Sequence, residues 1–275
     1  MNGPAVLIAL CSAKGAPGVT TSTLALALSW PRPVVVAELD PAGGDVLAGY
    51  GRAETAAGGL AELALAARRG GPAGHLDEHL LRLDTAGRAR LLPGLGDPAV
   101  ARHVDWERLA AALASVADGA VDVLADCGRL RTEHFPAAVT RRAAAVVVVT
   151  GSTLRAVRAA TPAVAELRRE GTGPAQGAAA VTALVVAPGE PYGEKEIGEA
   201  LDVPIVGALP RDAKAAAVLS DGAPAGRLFG QSALLRAARS TAARLADHAA
   251  AQQARLTPPT TPAVSATTVG GSRGR

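Results

Sequence analysis

Cys11-Ser12-Ala13-Lys14-Gly15-Ala16-Pro17-Gly18-Val19-Thr20-Thr21-Ser22 is the stretch whose reading decides the fold. An apolar run, Ala5 to Leu10, precedes it, and a helix-like run, Thr23 to Leu28, follows it. Strand, Gly-rich turn and helix in that order form the context of a phosphate-binding loop. Gly15 and Gly18 allow the backbone to curl so that successive N–H groups face an anion. The N-terminus of the following helix adds partial positive charge at the same point. Thr20 or Thr21 offers a hydroxyl of the kind that binds Mg²⁺ beside phosphates. A plain Gly/Pro turn between a strand and a helix is the competing reading.

The loop departs from the usual G-x-x-x-x-G-K-[ST] pattern. Val19 stands where the phosphate-gripping lysine belongs, and a lysine stands early, at Lys14. That placement resembles the deviant Walker A motif, K-G-G-x-G-K-[ST]-[ST], of the ParA/MinD family of P-loop ATPases. Lys14, Gly15, Gly18, Thr20 and Thr21 match it; Ala16 replaces a glycine, Pro17 fills the free position, and Val19 replaces the second lysine.

Two further segments fit the same resemblance. After Trp30-Pro31-Arg32-Pro33, the run Val34 to Ala37 reads as a buried parallel strand and ends in Glu38-Leu39-Asp40-Pro41-Ala42-Gly43-Gly44-Asp45. The family writes D-x-D-P-x-G here, and the resemblance gives Asp40 the attacking water or the outer shell of Mg²⁺ to position. Later, Val121 to Asp126 followed by Cys127-Gly128 is an apolar strand ending in Asp, the Walker B pattern. It casts Asp126 as the residue that holds Mg²⁺ through water. A turn-forming Asp before Pro and a loop-starting Asp are the bland alternatives.

Composition sets the outer bounds. At 275 residues the chain suits one large domain or two small ones. Aromatics are only 2% of it, so the core must be built from small aliphatics. A net charge of +3 is too small to argue for nucleic acid, and the basic residues are nearly all Arg. Two cysteines, Cys11 and Cys127, form no disulfide framework and suit a reduced, cytoplasmic setting as small buried hydrophobes. No signal peptide and no apolar run of membrane-spanning length is read. His75 and His79, four apart, could share one helix face, but two ligands fall short of a metal site.

Further along, a helix is expected over 55–69, a short strand at Ala89 to Leu92, and a helix over Trp106 to Ala117. Strands follow over 143–150 and 179–186, with a helix from Leu154 to Glu170 between them. Arg155, Arg158, Arg168 and Arg169 on that helix could meet DNA or an acidic partner, though a solvated face explains them as well. Ala187 stands near the family's adenine-reading Asn. A late strand, Val203 to Leu209, and a last helix from Ser232 to about Gln252 complete the pattern; that helix packs on the sheet or lies on a membrane surface.

The expectation is a three-layer α/β/α sandwich with a mainly parallel sheet, of the P-loop NTPase (SIMIBI) type, over residues 1–255. A disordered Thr/Pro/Gly-rich tail over 256–275 follows. The resemblance implies ATP and Mg²⁺ as cofactors and an ATP-driven homodimer in which Lys14 reaches the partner's phosphates. It implies a role in placing chromosomes, plasmids, a division site or a secretion machine, at a membrane or nucleoid surface. The absent lysine at Val19 makes turnover weak or absent. It keeps open a second reading, a non-hydrolysing scaffold similar to the CpaE/TadZ proteins of pilus assembly.

Overall fold

The computed structural model describes residues 4–14, 18–51, 58–68, 73–118, 121–170, 181–189 and 191–256. Among the described residues, eight strands form one sheet: β1 (Leu7–Ser12), β2 (Val34–Glu38), β3 (Leu81–Arg82), β4 (Ala89–Leu92), β5 (Asp122–Arg129), β6 (Ala145–Gly151), β7 (Val181–Val186) and β8 (Ile205–Leu209). Their order is β3-β4-β2-β5-β1-β6-β7-β8, and every pairing is parallel except β3 with β4. The central strands are apolar runs with no exposed face, as a sheet covered on both sides requires.

Alternation along each strand divides the core in two. Leu7, Ala9 and Cys11 face one side; Val6, Ile8 and Leu10 face the other. The first side is covered by α2 (Leu60–Arg68), α3 (Trp106–Asp118), α4 (Ala137–Arg142), α5 (Leu154–Arg169) and α6 (Glu194–Leu201). The second is covered by α1 (Val19–Ala27), α7 (Ala213–Ser220) and α8 (Ala233–Leu256). This is the expected three-layer sandwich. From β1 the chain passes to β2 and the edge strand β3, returns through β4, and inserts β5 between β2 and β1; β6, β7 and β8 then build outward on the other flank. The direction reverses beside β1, and ligands of open α/β sheets bind at such a point, outside the strands' carboxyl ends.

Several expectations change in detail. The antiparallel edge strand β3 and the short α4 carry too few residues to show a period, and neither was anticipated. Of the helix expected over 55–69, residues 60–68 are helical, and 55–57 and 69 lie outside the described residues. His75 and His79 fall on a 3-10 turn, Ala73–His79. No group of three or more His, Cys, Asp or Glu that could hold a metal ion occurs among the described residues. Leu256 is the last residue of α8; the rest of the expected tail, 257–275, lies outside the described residues.

The last helix packs on the sheet. Leu234, Leu235 and Leu245, which a membrane surface would need, are buried, and Arg244 Nε donates to the Val206 carbonyl at 3.0 Å. No described helix is long and apolar enough to cross a membrane. On α5, Arg168 pairs with Asp202 at 3.0 Å and Glu166 accepts from Arg131, while Arg155 and Arg158 are exposed.

Candidate functional site at the end of the first strand

Gly18 caps α1 in the left-handed conformation, φ 85° and ψ 44°, which a glycine reaches without Cβ strain. No side chain caps this helix, and its first turn holds no acid. By contrast, Thr153 caps α5 and Asp212 caps α7. The first N–H groups of α1 are therefore left for another acceptor. Of the loop, Gly15, Ala16 and Pro17 lie outside the described residues.

A cavity of about 850 Å³ opens at this helix end. Gly18, Val19, Thr20, Thr21, Asp40 and Gly128 all line it, so segments far apart in sequence converge. Lys14 is exposed and stands outside the lining. Asp126 lies just beneath, almost wholly buried, and accepts from the Gly128 N–H at 3.0 Å, with the Thr20 hydroxyl near enough to draw its carboxyl down. The pair expected to hold Mg²⁺ is thus brought together at one end of the cavity. Burial pushes the Asp126 carboxyl up to about 6 against the pull of those two groups, and nearby Asp40 and Asp45 push the same way.

Asp40 Oδ1 accepts from the Ala42 N–H at 2.8 Å, closing the turn that the sequence suggested. Burial raises its carboxyl; that hydrogen bond and the charge of Arg129 draw it back. The first acid of the same segment has another task. Glu38 is buried, and its Oε1 accepts from the N–H groups of Asp45 and Val46, both at 3.0 Å. Its Oε2 accepts from Gly94 at 3.1 Å. It ties the loop bearing Asp40 and Asp45 to the loop after β4.

Val19 is 7% exposed and packs with Leu10 and Leu24 in the core of the second face. It gives the cavity no charge. Cys11 and Cys127 are buried thiols; burial, with Asp126 adding to it, pushes Cys11 up to about 12, so both stay protonated and inert.

A second cavity of about 210 Å³ adjoins the first through Gly18 and Thr21, and Ala187, Pro210 and Arg211 contribute to it. Ala187 has φ 54°, and its carbonyl accepts from Ser152 Oγ at 2.6 Å. Sequence reasoning passed over Asp45, Asp221, Ser12 and Arg129, which also line the main cavity. Asp45 ends the quoted acidic segment and Ser12 opens the loop, so position alone offered a signal for those two. Asp221 follows α7 with none.

This topology with the loop at the end of β1 is shared with solved structures. MinD of Aquifex aeolicus superposes with a TM-score of 0.70 at 18% identity, over 88% of this chain and 96% of that one. The MinD/ParA fold is the fold of this chain. A ParA family ATPase of Chlorobium tepidum gives 0.69 at 19% identity, over 89% of this chain and 100% of the other. The septum site-determining protein MinD of Pyrococcus horikoshii gives 0.69 at 18% identity, over 90% and 98%. No protein-family model matches the sequence, and no curated protein matches it. On this fold Lys14 follows β1, Thr20 lies in the first turn of α1, Asp40 follows β2 and Asp126 lies within β5.

Proposed function

We propose that the chain binds ATP with Mg²⁺ at the end of β1 and acts as a MinD/ParA-like positioning switch whose nucleotide-bound form is a homodimer. The observation that carries this is the convergence of Gly18, Thr20, Thr21 and Asp40 on one cavity, with the buried carboxylate of Asp126 close to Thr20. The residues present suit the ligand: uncapped N–H groups for phosphate, and a hydroxyl beside a buried carboxylate for a hard cation. The smaller cavity beside Ala187 has room for a base. The P. horikoshii protein was solved with Mg-ADP, which supports the assignment by analogy of fold.

In this reading Gly18 and the first turn of α1 hold phosphate oxygens, and Thr20 and Asp126 hold Mg²⁺. The metal ion supplies charge neutralisation along the phosphate chain. Asp40 orients a water for attack on the terminal phosphorus, giving ADP and inorganic phosphate. Lys14, exposed and outside the lining, is free to reach a partner's phosphates across a dimer. The cargo is a second macromolecule placed by the dimer at a membrane or nucleoid surface.

A second reading is favoured by one observation, the buried Val19. A phosphate contact lacking its charged donor costs about 1.5–3 kcal/mol, and the developing charge of hydrolysis also loses a neutralising group. On that basis the same fold serves as a CpaE/TadZ-like scaffold that hydrolyses little or nothing.

Equilibrium ATP binding with and without Mg²⁺, followed by sedimentation of the same samples, separates the readings. Micromolar binding with a monomer-to-dimer shift is expected of the switch, and Lys14→Ala then abolishes the shift. Absence of binding at millimolar ATP leaves the scaffold.

A further inference from the structure

The proposed nucleotide site lacks the loop cation, and its lining is acidic. Asp40, Asp45 and Asp221 border the cavity, and Arg129 is the one basic residue among the described residues that line it. A polyphosphate entering this space meets carboxylates on several sides, so the single cation there has a large share of the charge to balance.

The strand register explains why Arg129 faces this space. Leu10 pairs with Asp126, but Ser12 pairs with Arg129, so two steps along β1 are matched by three along β5. An unbroken register would set Gly128 opposite Ser12. One extra residue reverses the side on which the following side chains project. The bulge therefore turns Arg129 toward the start of the loop, and the Leu130 N–H fixes it there by donating to the Ser12 carbonyl at 2.8 Å.

Ser12 gives the second, independent observation. It is 1% exposed, its hydroxyl has no hydrogen-bond partner among the described residues, and it lines the same cavity. A buried hydroxyl left without a partner is costly, and a ligand oxygen at this point would satisfy it.

We propose that Arg129, with the Ser12 hydroxyl beside it, holds the phosphate chain of the bound nucleotide in place of the lysine absent at position 19. The inference rests on the nucleotide reading of the cavity. The guanidinium fork matches two phosphate oxygens at once and stays charged at any working pH. Approaching from β5 rather than from α1, it grips the chain from the opposite wall of the cavity. The eroded loop is thus compensated from another strand.

The test is competition binding of AMP, ADP and ATP to the full chain with Mg²⁺, for wild type, Arg129→Ala, Arg129→Lys, Ser12→Ala and the double variant Val19→Lys/Arg129→Ala. Arg129→Ala is expected to weaken ATP about ten- to a hundredfold while leaving AMP nearly unchanged. Arg129→Lys should fall between, Ser12→Ala should lose several-fold, and the double variant should regain most of the lost ATP affinity. Wild-type ATP affinity in Arg129→Ala overturns the inference and leaves the nucleotide reading standing. Equal losses for AMP and ATP also overturn it, since the residue then acts on the shape of the site. Failure of the wild type to bind any nucleotide at millimolar concentration overturns both.

Discussion

Gly128 and Asp40 are packed so tightly that no side chain fits between them. A Cβ built on Gly128 would overlap the Asp40 carboxylate, and Gly128 has φ +65°, in the left-handed region. The β5 turn thereby forms the back wall against which Asp40 is held. Gly128→Ala must push that carboxylate aside and pay the left-handed penalty of about 1–2 kcal/mol. We expect a loss of about 2–4 kcal/mol in urea unfolding, from the conformational penalty plus the clash, together with weakened nucleotide binding. An unchanged midpoint would show that the two loops separate freely.

Asp122 anchors the opposite end of the same strand. It is fully buried and accepts from the Val6 N–H at 2.9 Å, Trp30 Nε1 at 2.7 Å and Arg32 Nε at 2.8 Å. Removing one member of a buried pair strands the other, at about 3–5 kcal/mol. Asp122→Ala is therefore expected to lower the thermal midpoint steeply while sparing the geometry of the distant cavity. A shift within error of wild type would mean the cluster contributes nothing net.

The acid Glu38 gives a pH dependence of defined sign. Burial raises its carboxyl from 4.5 to about 7 against three backbone N–H bonds. The folded state therefore holds a proton that the unfolded chain releases over that interval. Stability from this group is present below pH 4.5 and is lost as pH rises through about 7. Urea midpoints at pH 5.5 and 8 should differ more for wild type than for Glu38→Gln. Equal slopes for both proteins would remove Glu38 as the source.

Val19→Lys tests the loop itself. The lysine stem can cover the apolar surface that Val19 now covers, with its ammonium in the cavity. ATP affinity should rise about tenfold or more, read by calorimetry. No gain would mean that position 19 does not face phosphate.

Binding should also require the metal. With three carboxylates and one arginine in the lining, removal of Mg²⁺ by chelator is expected to weaken ATP about tenfold or more, by charge balance alone. Equal affinity with and without Mg²⁺ would place the phosphates away from these acids.

The layer order was legible because its signal is local. The apolar runs of β1, β2 and β6 are unbroken, as strands covered on both faces must be, and the Gly-rich turn after β1 is written in consecutive residues. The acids Asp40 and Asp126 were legible for the same reason: Asp126 directly ends an apolar run, and Asp40 stands close behind one. The edge strand β3, two residues long, has no period to read, and its place is set by pairing Leu81 with Leu91 and Arg82 with Arg90.

The sequence by itself determined that a strand, a glycine turn and a helix would meet with two acid-tipped strands on one sheet, since hydrophobic period and turn chemistry act between neighbours. Tertiary structure alone decided which side chains enter the cavity. That Glu38 ties two loops while Asp40 faces the opening, that Val19 is spent on the core, and that Arg129 stands opposite Ser12 all follow from strand order and one bulge. A single extra residue in a pleated strand reverses the direction of the side chains that follow it, and only the partner strand reveals that the residue is extra.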